Sequence, residues 1–225
     1  MLFRSQRDHL PWDTYVLDLA TGRERRVARD AYVPTWSEDG TRVFFERRAC
    51  QVVEHELDTG RERVLFESGK AQVPEGVLLE TPEFNGRAGE LAVTYRRAQR
   101  ATMVIGLDGS ARRVGGGCQL SWSPDRSFLF FVDGGGRGKN AIWRFDPGTG
   151  GKALWLDLPG PYSHEYFPRL SRDGRWLVVG AAAEGHEHDR ADYEIFLWPV
   201  GAPAESAARL TFHTGNDSWP DIWTE

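Results

Sequence analysis

The chain is short of cysteine, of methionine and of any long apolar run, and each shortage removes a class of protein. Two cysteines in 225 residues cannot supply the disulfide framework on which small secreted folds depend. Cys50 and Cys118 are therefore expected as free, largely buried thiols. No stretch approaches the ~20 apolar residues that a membrane-spanning helix requires, so no transmembrane segment is expected. The first residues, Met1 to Asp8, carry no secretory signal pattern. A basic excess is also missing. The formal net charge is -5, and a nucleic-acid partner would call for a basic patch or domain. The Arg23 to Arg26 and Arg96 to Arg100 pieces read as solvated strand faces. Helical periodicity is absent throughout.

What the chain does have is a repeat, and a repeat decides the fold before any single motif does. The segment from Tyr32 to Gly40 ends in a Trp36-Ser37-Glu38-Asp39-Gly40 turn. Variants occupy Pro82 to Gly89, Leu120 to Arg126 and Pro168 to Gly174, each followed by an alternating apolar run. A shorter copy, Pro220 to Glu225, ends the sequence. Around each copy the β-branched and aromatic content, with Asp-Gly and Thr-Gly turns, predicts four short antiparallel strands. In the second unit these are 32–37, 41–46, 51–57 and 62–66.

Repeated four-stranded units arranged radially are the blades of a β-propeller. The expected fold is all-β, with five blades: 29–68, 69–115, 116–158, 159–216, and a first blade made of 1–28 plus 217–225. The chain starts on what reads as a second strand. Its missing first strand is the terminal copy around Ser218 to Trp223, which would close the ring and remove an exposed sheet edge.

Candidate chemistry follows from the loops. In a propeller the loops between second and third strands share a face with those joining one blade to the next. His9, His164, His186, His188 and His213 all fall in such loops of blades one and five; His55 lies within a strand. Asp8, Glu165, Glu187, Asp189, Asp192 and Asp217 accompany them. Candidate ligand- or partner-binding residues are therefore His9, Trp12, Tyr162, His164, Glu165, His186, His188, Asp189, His213 and Asp217. Mixed imidazole and carboxylate suits a divalent metal. A zinc or calcium site is drawn from His164, His186, His188, Asp189 and Asp192, with hydrogen-bonding of the same histidines to their own loops as the competing reading. Trp12 and Tyr162, each beside a proline in a loop, could grip a peptide or a sugar. Trp36, Trp122, Trp143 and Trp176 are explained by packing between blades.

Catalytic motifs are scarce. The Gly134 to Lys139 segment resembles a phosphate loop, but no Ser or Thr follows Lys139 and a strand comes next, so the anion cradle is missing. No Gly-x-Ser-x-Gly elbow occurs. Glu54 and Glu56 share one side of a strand, expected to face solvent.

The Pro-x-Trp-Ser-x-Asp-Gly strand and turn resemble the repeats of TolB-type, WD-repeat-like propellers. So do the Tyr193 to Trp198 run, Arg209-Leu210-Thr211 and Asn216 to Asp221. The resemblance implies a noncatalytic module that binds a protein or peptide partner in a periplasmic or otherwise extracytoplasmic setting, with a cytoplasmic one as the alternative; a monomer is expected. A metal-assisted hydrolase or lyase acting on a carbohydrate or small ester at the same face is the alternative. A structural domain of a larger envelope protein is a third.

Overall fold

The computed structural model describes residues 1–5, 12–137, 139–185, 187–188, 190–212 and 214–224, with only the backbone described for 2–5. The strands are β1 (Leu2–Ser5), β2 (Asp13–Leu17), β3 (Glu24–Ala28), β4 (Tyr32–Trp36), β5 (Arg42–Arg47), β6 (Gln51–Glu56), β7 (Glu62–Glu67), β8 (Val77–Asn85), β9 (Glu90–Arg97) and β10 (Ala101–Gly106). They continue as β11 (Ala111–Gly115), β12 (Cys118–Trp122), β13 (Leu129–Gly134), β14 (Asn140–Phe145), β15 (Lys152–Leu156), β16 (His164–Leu170), β17 (Trp176–Ala182), β18 (Tyr193–Pro199) and β19 (Ala208–Arg209). Apart from a single 3-10 turn at Ala204–Ser206, the described residues form no helix, and none is long and apolar enough to cross a membrane.

The strands form five sheets: β1-β2-β3, then four of four strands each, β4 to β7, β8 to β11, β12 to β15 and β16 to β19, all in simple neighbour order. Two compact units divide them, residues 1–113 and 114–225. Within the first, Phe44, Leu79, Leu91, Val93, Tyr95 and Ile105 form one buried cluster, and Ala31, Val43, Phe45 and Val53 a smaller one. The core of the second unit gathers Phe130, Ile142, Leu156, Leu177, Val179, Tyr193 and Trp198. Alternation explains these sets, since every second side chain of a strand points to one face.

Two local devices recur. The first is the turn after each first strand. Ser37 Oγ donates to Asp39 Oδ1 at 2.6 Å, the Thr41 N–H donates to the same oxygen at 3.0 Å, and the Arg42 N–H donates to Ser37 Oγ at 2.9 Å. Ser123 with Asp125 and Ser171 with Asp173 repeat it, both at 2.6 Å. These donors hold the Asp173 carboxyl down at about 2, with the Ser171 hydroxyl the largest cause, and lower Asp39 in the same way. A lowered folded pKa stabilises the fold above the carboxyl's unfolded value and loses that contribution as pH falls toward the folded one. Asp173→Asn is therefore expected to melt below wild type at pH 6 and to converge with it near pH 2, as thermal scans across that range would show.

The second device is a bulge inside the first strand. Pairing slips between Tyr32 and Thr35, between Glu80 and Glu83, between Cys118 and Ser121, and between Tyr166 and Arg169. Inside each slip stands a residue in the left-handed region: Val33 (φ 44), Thr81 (φ 50), Gln119 (φ 53) and Phe167 (φ 57). Three of the four precede a proline, which has no N–H to give to the ladder. Trp219 (φ 60), before Pro220, adopts the same conformation.

The terminal copy departs from expectation. Residues 214–224 form no strand, and the first sheet contains three strands among the described residues. Instead the segment packs within the second unit: the Asp217 N–H donates to the Tyr193 carbonyl at 2.9 Å, and the Trp219 ring lies 4.5 Å from that of Phe167. Three smaller expectations also change. Cys50 and Cys118 are free but only partly buried. Trp36 is 36% exposed. Glu54 is buried instead of solvated, because Arg42 and Arg63 each lie 3.1 Å from it and cover it.

Candidate binding surface of the second unit

β16 positions most of the candidate chemistry. Its first two residues, expected in an exposed loop, are instead paired with Ala182 and Ala181 of β17, and His164 is 4% and Glu165 0% exposed. Neither side chain is presented to a partner. Glu165 Oε1 accepts the Leu158 N–H at 2.7 Å. Burial pushes its carboxyl up to about 8; the Leu158 N–H opposes this and the nearby Asp157 charge adds to it. Glu165 is thus neutral at pH 7, in the way a desolvated carboxyl with few donors becomes.

Two residues further on, the chain bulges and turns aromatic. Tyr166 and Phe167 stand side by side, with ring centroids 5.9 Å apart. His188 lies 4.7 Å from Tyr166 and 5.1 Å from Phe167, both edge-on. Tyr193 of β18 backs Phe167 at 5.2 Å. Trp219 packs on Phe167 at 4.5 Å and remains 55% exposed. Edge-to-face pairs of this kind add about 0.5–1.5 kcal/mol each beyond burial, so the cluster is rigid. Polar bonds tie the two flanking segments together: Asn216 Nδ2 donates to the His188 carbonyl at 2.6 Å, and the Gly215 N–H to Asp192 Oδ1 at 2.9 Å.

A second group lies on β18 and β19. Arg209 Nη2 is 2.6 Å from the buried Glu194 carboxylate. Its guanidinium sits 5.0 Å from the ring of Tyr162 and 4.8 Å from that of Phe212. The Glu194 hydrogen bond raises the pKa of Arg209. Tyr162 also packs at 5.0 Å on Phe196, so it is spent on its own sheet.

The remaining candidates scatter. Trp12 is half-buried in the first unit, where its carbonyl accepts the Ala31 N–H at 2.9 Å. Asp192 is exposed and Asp217 partly so. His9, His186, Asp189 and His213 lie outside the described residues. Among those described, no three His, Cys, Asp or Glu side chains converge in a way that could hold a metal ion; of the zinc or calcium set this covers His164, His188 and Asp192. In the Gly134 to Lys139 segment, the Arg137 N–H donates to Asp157 Oδ2 at 2.9 Å, so among the described residues this amide faces an acid. Sequence reasoning missed Tyr166, Phe167, Tyr193 and Trp219 as a group. The available signal was the aromatic residue before proline in Phe167-Pro168 and Trp219-Pro220.

No protein-family model matches this chain, and no curated protein does. Solved structures do. A structure assigned to TolB from Agrobacterium tumefaciens superimposes with a TM-score of 0.69 at 17% identity, over 92% of this chain and 72% of that one. An oligogalacturonate lyase from Vibrio parahaemolyticus gives 0.58 at 15% identity, over 99% and 76%. A β-propeller domain from Myceliophteria thermophila gives 0.55 at 14% identity, over 88% and 62%. At such identities the likeness shows the fold alone, and the fold is of the TolB-like, WD-repeat-like propeller kind.

Proposed function

We propose that this protein is a noncatalytic binding module that holds a peptide segment of a partner protein against the aromatic surface of Tyr166, Phe167, His188 and Trp219. In this reading the five sheets are blades of one ring, working outside the cytoplasm. The observation that carries the proposal is Trp219: 55% exposed, yet stacked 4.5 Å from a Phe167 that is only 3% exposed. An exposed tryptophan fixed on a rigid aromatic base offers large contact area with little ordering cost on binding, the character of an interface anchor. Binding modules and enzymes both occur among propellers, so fold supports the reading without deciding it.

Peptides selected from a displayed library against wild type test it. Trp219→Ala is expected to weaken them by about 30-fold, the effect of removing an anchor worth ~2 kcal/mol, while circular dichroism stays unchanged. Equal binding by the variant, or a library that yields no ligand, would sink the proposal.

A second reading is a metal-assisted lyase or hydrolase on a carbohydrate. Favouring it is the placement of His188 edge-on to Tyr166 beside an open tryptophan face, since sugars also stack on such rings. Cleavage of oligogalacturonate with added zinc, calcium or manganese, lost in His188→Ala, would establish it in place of the first.

A further inference from the structure

The aromatic surface has a charged neighbour, and the bulge in β16 sets where it stands. Tyr166 pairs with Gly180 and Arg169 with Val178, so Phe167 and Pro168 together face Val179 alone. Residues paired across two strands share a face of the sheet, and so do residues two apart in one strand. The extra residue of the bulge therefore returns Arg169 to the face that carries Tyr166. Phe167 lies on that face too, since a Cβ at Gly180 would meet Phe167 Cδ2 at 3.0 Å and the Asp217 carbonyl at 3.7 Å. Arg169 thus leaves the sheet about 7 Å along the strand from the aromatic cluster, the rise of two residues.

Two hydrogen bonds from β12 fix this stretch of β16. Gln119 Oε1 accepts the Phe167 N–H at 2.6 Å, and Arg169 Nη1 donates to Ser121 Oγ at 3.1 Å. Arg169 itself is exposed, and Ser121 is buried. Among the described residues no carboxylate pairs with this guanidinium, Asp221 of the adjoining segment included, and the hydroxyl that holds it is uncharged. Arg209, on β19 of the same sheet, is by contrast already taken by Glu194 at 2.6 Å. A guanidinium offers five N–H donors in a rigid fork that matches the two oxygens of a carboxylate. With one donor committed to Ser121, Arg169 keeps the others for a ligand.

We infer that Arg169 reads a carboxylate in the bound peptide, selecting segments in which Asp or Glu lies about two residues from the apolar side chain held by Phe167 and Trp219. The inference rests on the peptide-binding reading above and adds the chemical class of the peptide. An extended segment covers the same distance of about 7 Å with two residues, so one side chain reaches the rings while the other reaches the fork. An amide of the same shape brings no charge to the guanidinium and is rejected on that ground.

Peptides selected on the wild-type chain supply the ligands, resynthesised with amidated C-termini so that only side-chain carboxylates are offered. Asp or Glu is expected at a fixed separation from the apolar anchor. Changing that residue of the peptide to Asn or Gln should weaken binding to wild type about 10-fold, the loss of one charge-assisted pair. Arg169→Gln should weaken the acidic peptide by the same factor and leave the amide peptide unaffected, so the two losses do not add. Arg169→Lys keeps the charge without the fork and should recover only part of the affinity. Trp219→Ala should weaken both peptides alike. Because the side chain is exposed, Tm of both Arg169 variants should stay within about 1 °C of wild type. Peptides that depend on Trp219 yet show no acidic preference, or that bind Arg169→Gln as tightly as wild type, would overturn the role of Arg169 and leave the peptide-binding surface standing. A wild-type chain that selects no peptide removes both.

Discussion

Glu165→Gln should make the protein more stable at pH 8.5 in chelator-treated buffer, and indistinguishable from wild type near pH 4.5. The folded carboxyl is raised to about 8 from an ordinary value of 4.5, chiefly by burial. Between those values the folded state keeps a proton that the unfolded state has released, so wild-type stability falls as pH rises and levels off above pH 8. The loss totals at most about 5 kcal/mol at 1.36 kcal/mol per unit. Water that relaxes around the ionised group reduces it, and an observed Tm decline of about 10 °C from pH 5 to 8.5 is the expected scale. Glutamine keeps the acceptor for the Leu158 N–H, bonded at 2.7 Å in wild type, and has no charge to bury. Its Tm should show no decline over that range beyond what other groups contribute. Parallel curves for the two proteins would refute the assignment. The turn aspartates do not confuse the result, because their lowered values place their effect in the acid range.

Gly117→Ala should be the most damaging single methyl group that could be added to the second unit. A Cβ at Gly117 would stand 1.8 Å from the Val132 carbonyl oxygen and 2.8 Å from Asp133 Cα, both backbone atoms of β13. The neighbouring contacts leave little room for retreat. The Gly116 N–H donates to Asp133 Oδ2 at 3.2 Å, and Lys152 binds the same oxygen at 2.7 Å. The Lys152 ammonium also rests 4.5 Å from the Trp143 ring. Overpacking of this kind against backbone costs about 3 kcal/mol, a Tm loss of roughly 6–12 °C for a chain of this length. Gly86→Ala is the control, since a Cβ there meets nothing within 4 Å; its Tm should stay within about 1 °C of wild type. Equal melting of Gly117→Ala and wild type would show that the 115–117 segment moves away from β13 without cost.

The strands were legible because their information is local. Ser37, Asp39 and Gly40 announce a turn through their own hydrogen bonds, and alternation after the turn names the buried face without reference to anything distant. The strands expected at 51–57 and 62–66 are found at Gln51–Glu56 and Glu62–Glu67. The bulges were half legible. Proline inside the slip is visible in Val33-Pro34, Thr81-Pro82 and Phe167-Pro168, but Gln119 adopts the same conformation before Leu120. The ladder geometry imposes it there without proline's help.

Burial of ionisable groups was not legible, because it depends on what other strands bring. His164 and Glu165 read as loop residues by the spacing of the repeat. Two added residues of pairing with Ala181 and Ala182 place them inside. Glu54 reads as solvated by alternation, and the two arginines that cover it come from β5 and β7. Asp157 carries no local signal, because nothing near it in sequence is unusual; Arg137, which bonds to it, and Glu165 stand 20 and 8 residues away.

By itself, then, the order of residues determined the repeat, its turns, most of its strands and the all-β class, since hydrophobic alternation and Asx-type turns act over a few residues. Tertiary structure alone decided which of the histidines and carboxylates are presented and which are sealed. It also brought Phe167, His188 and Trp219 into one aromatic surface, because desolvation and ring packing are properties of what surrounds a side chain and not of its neighbours in the chain.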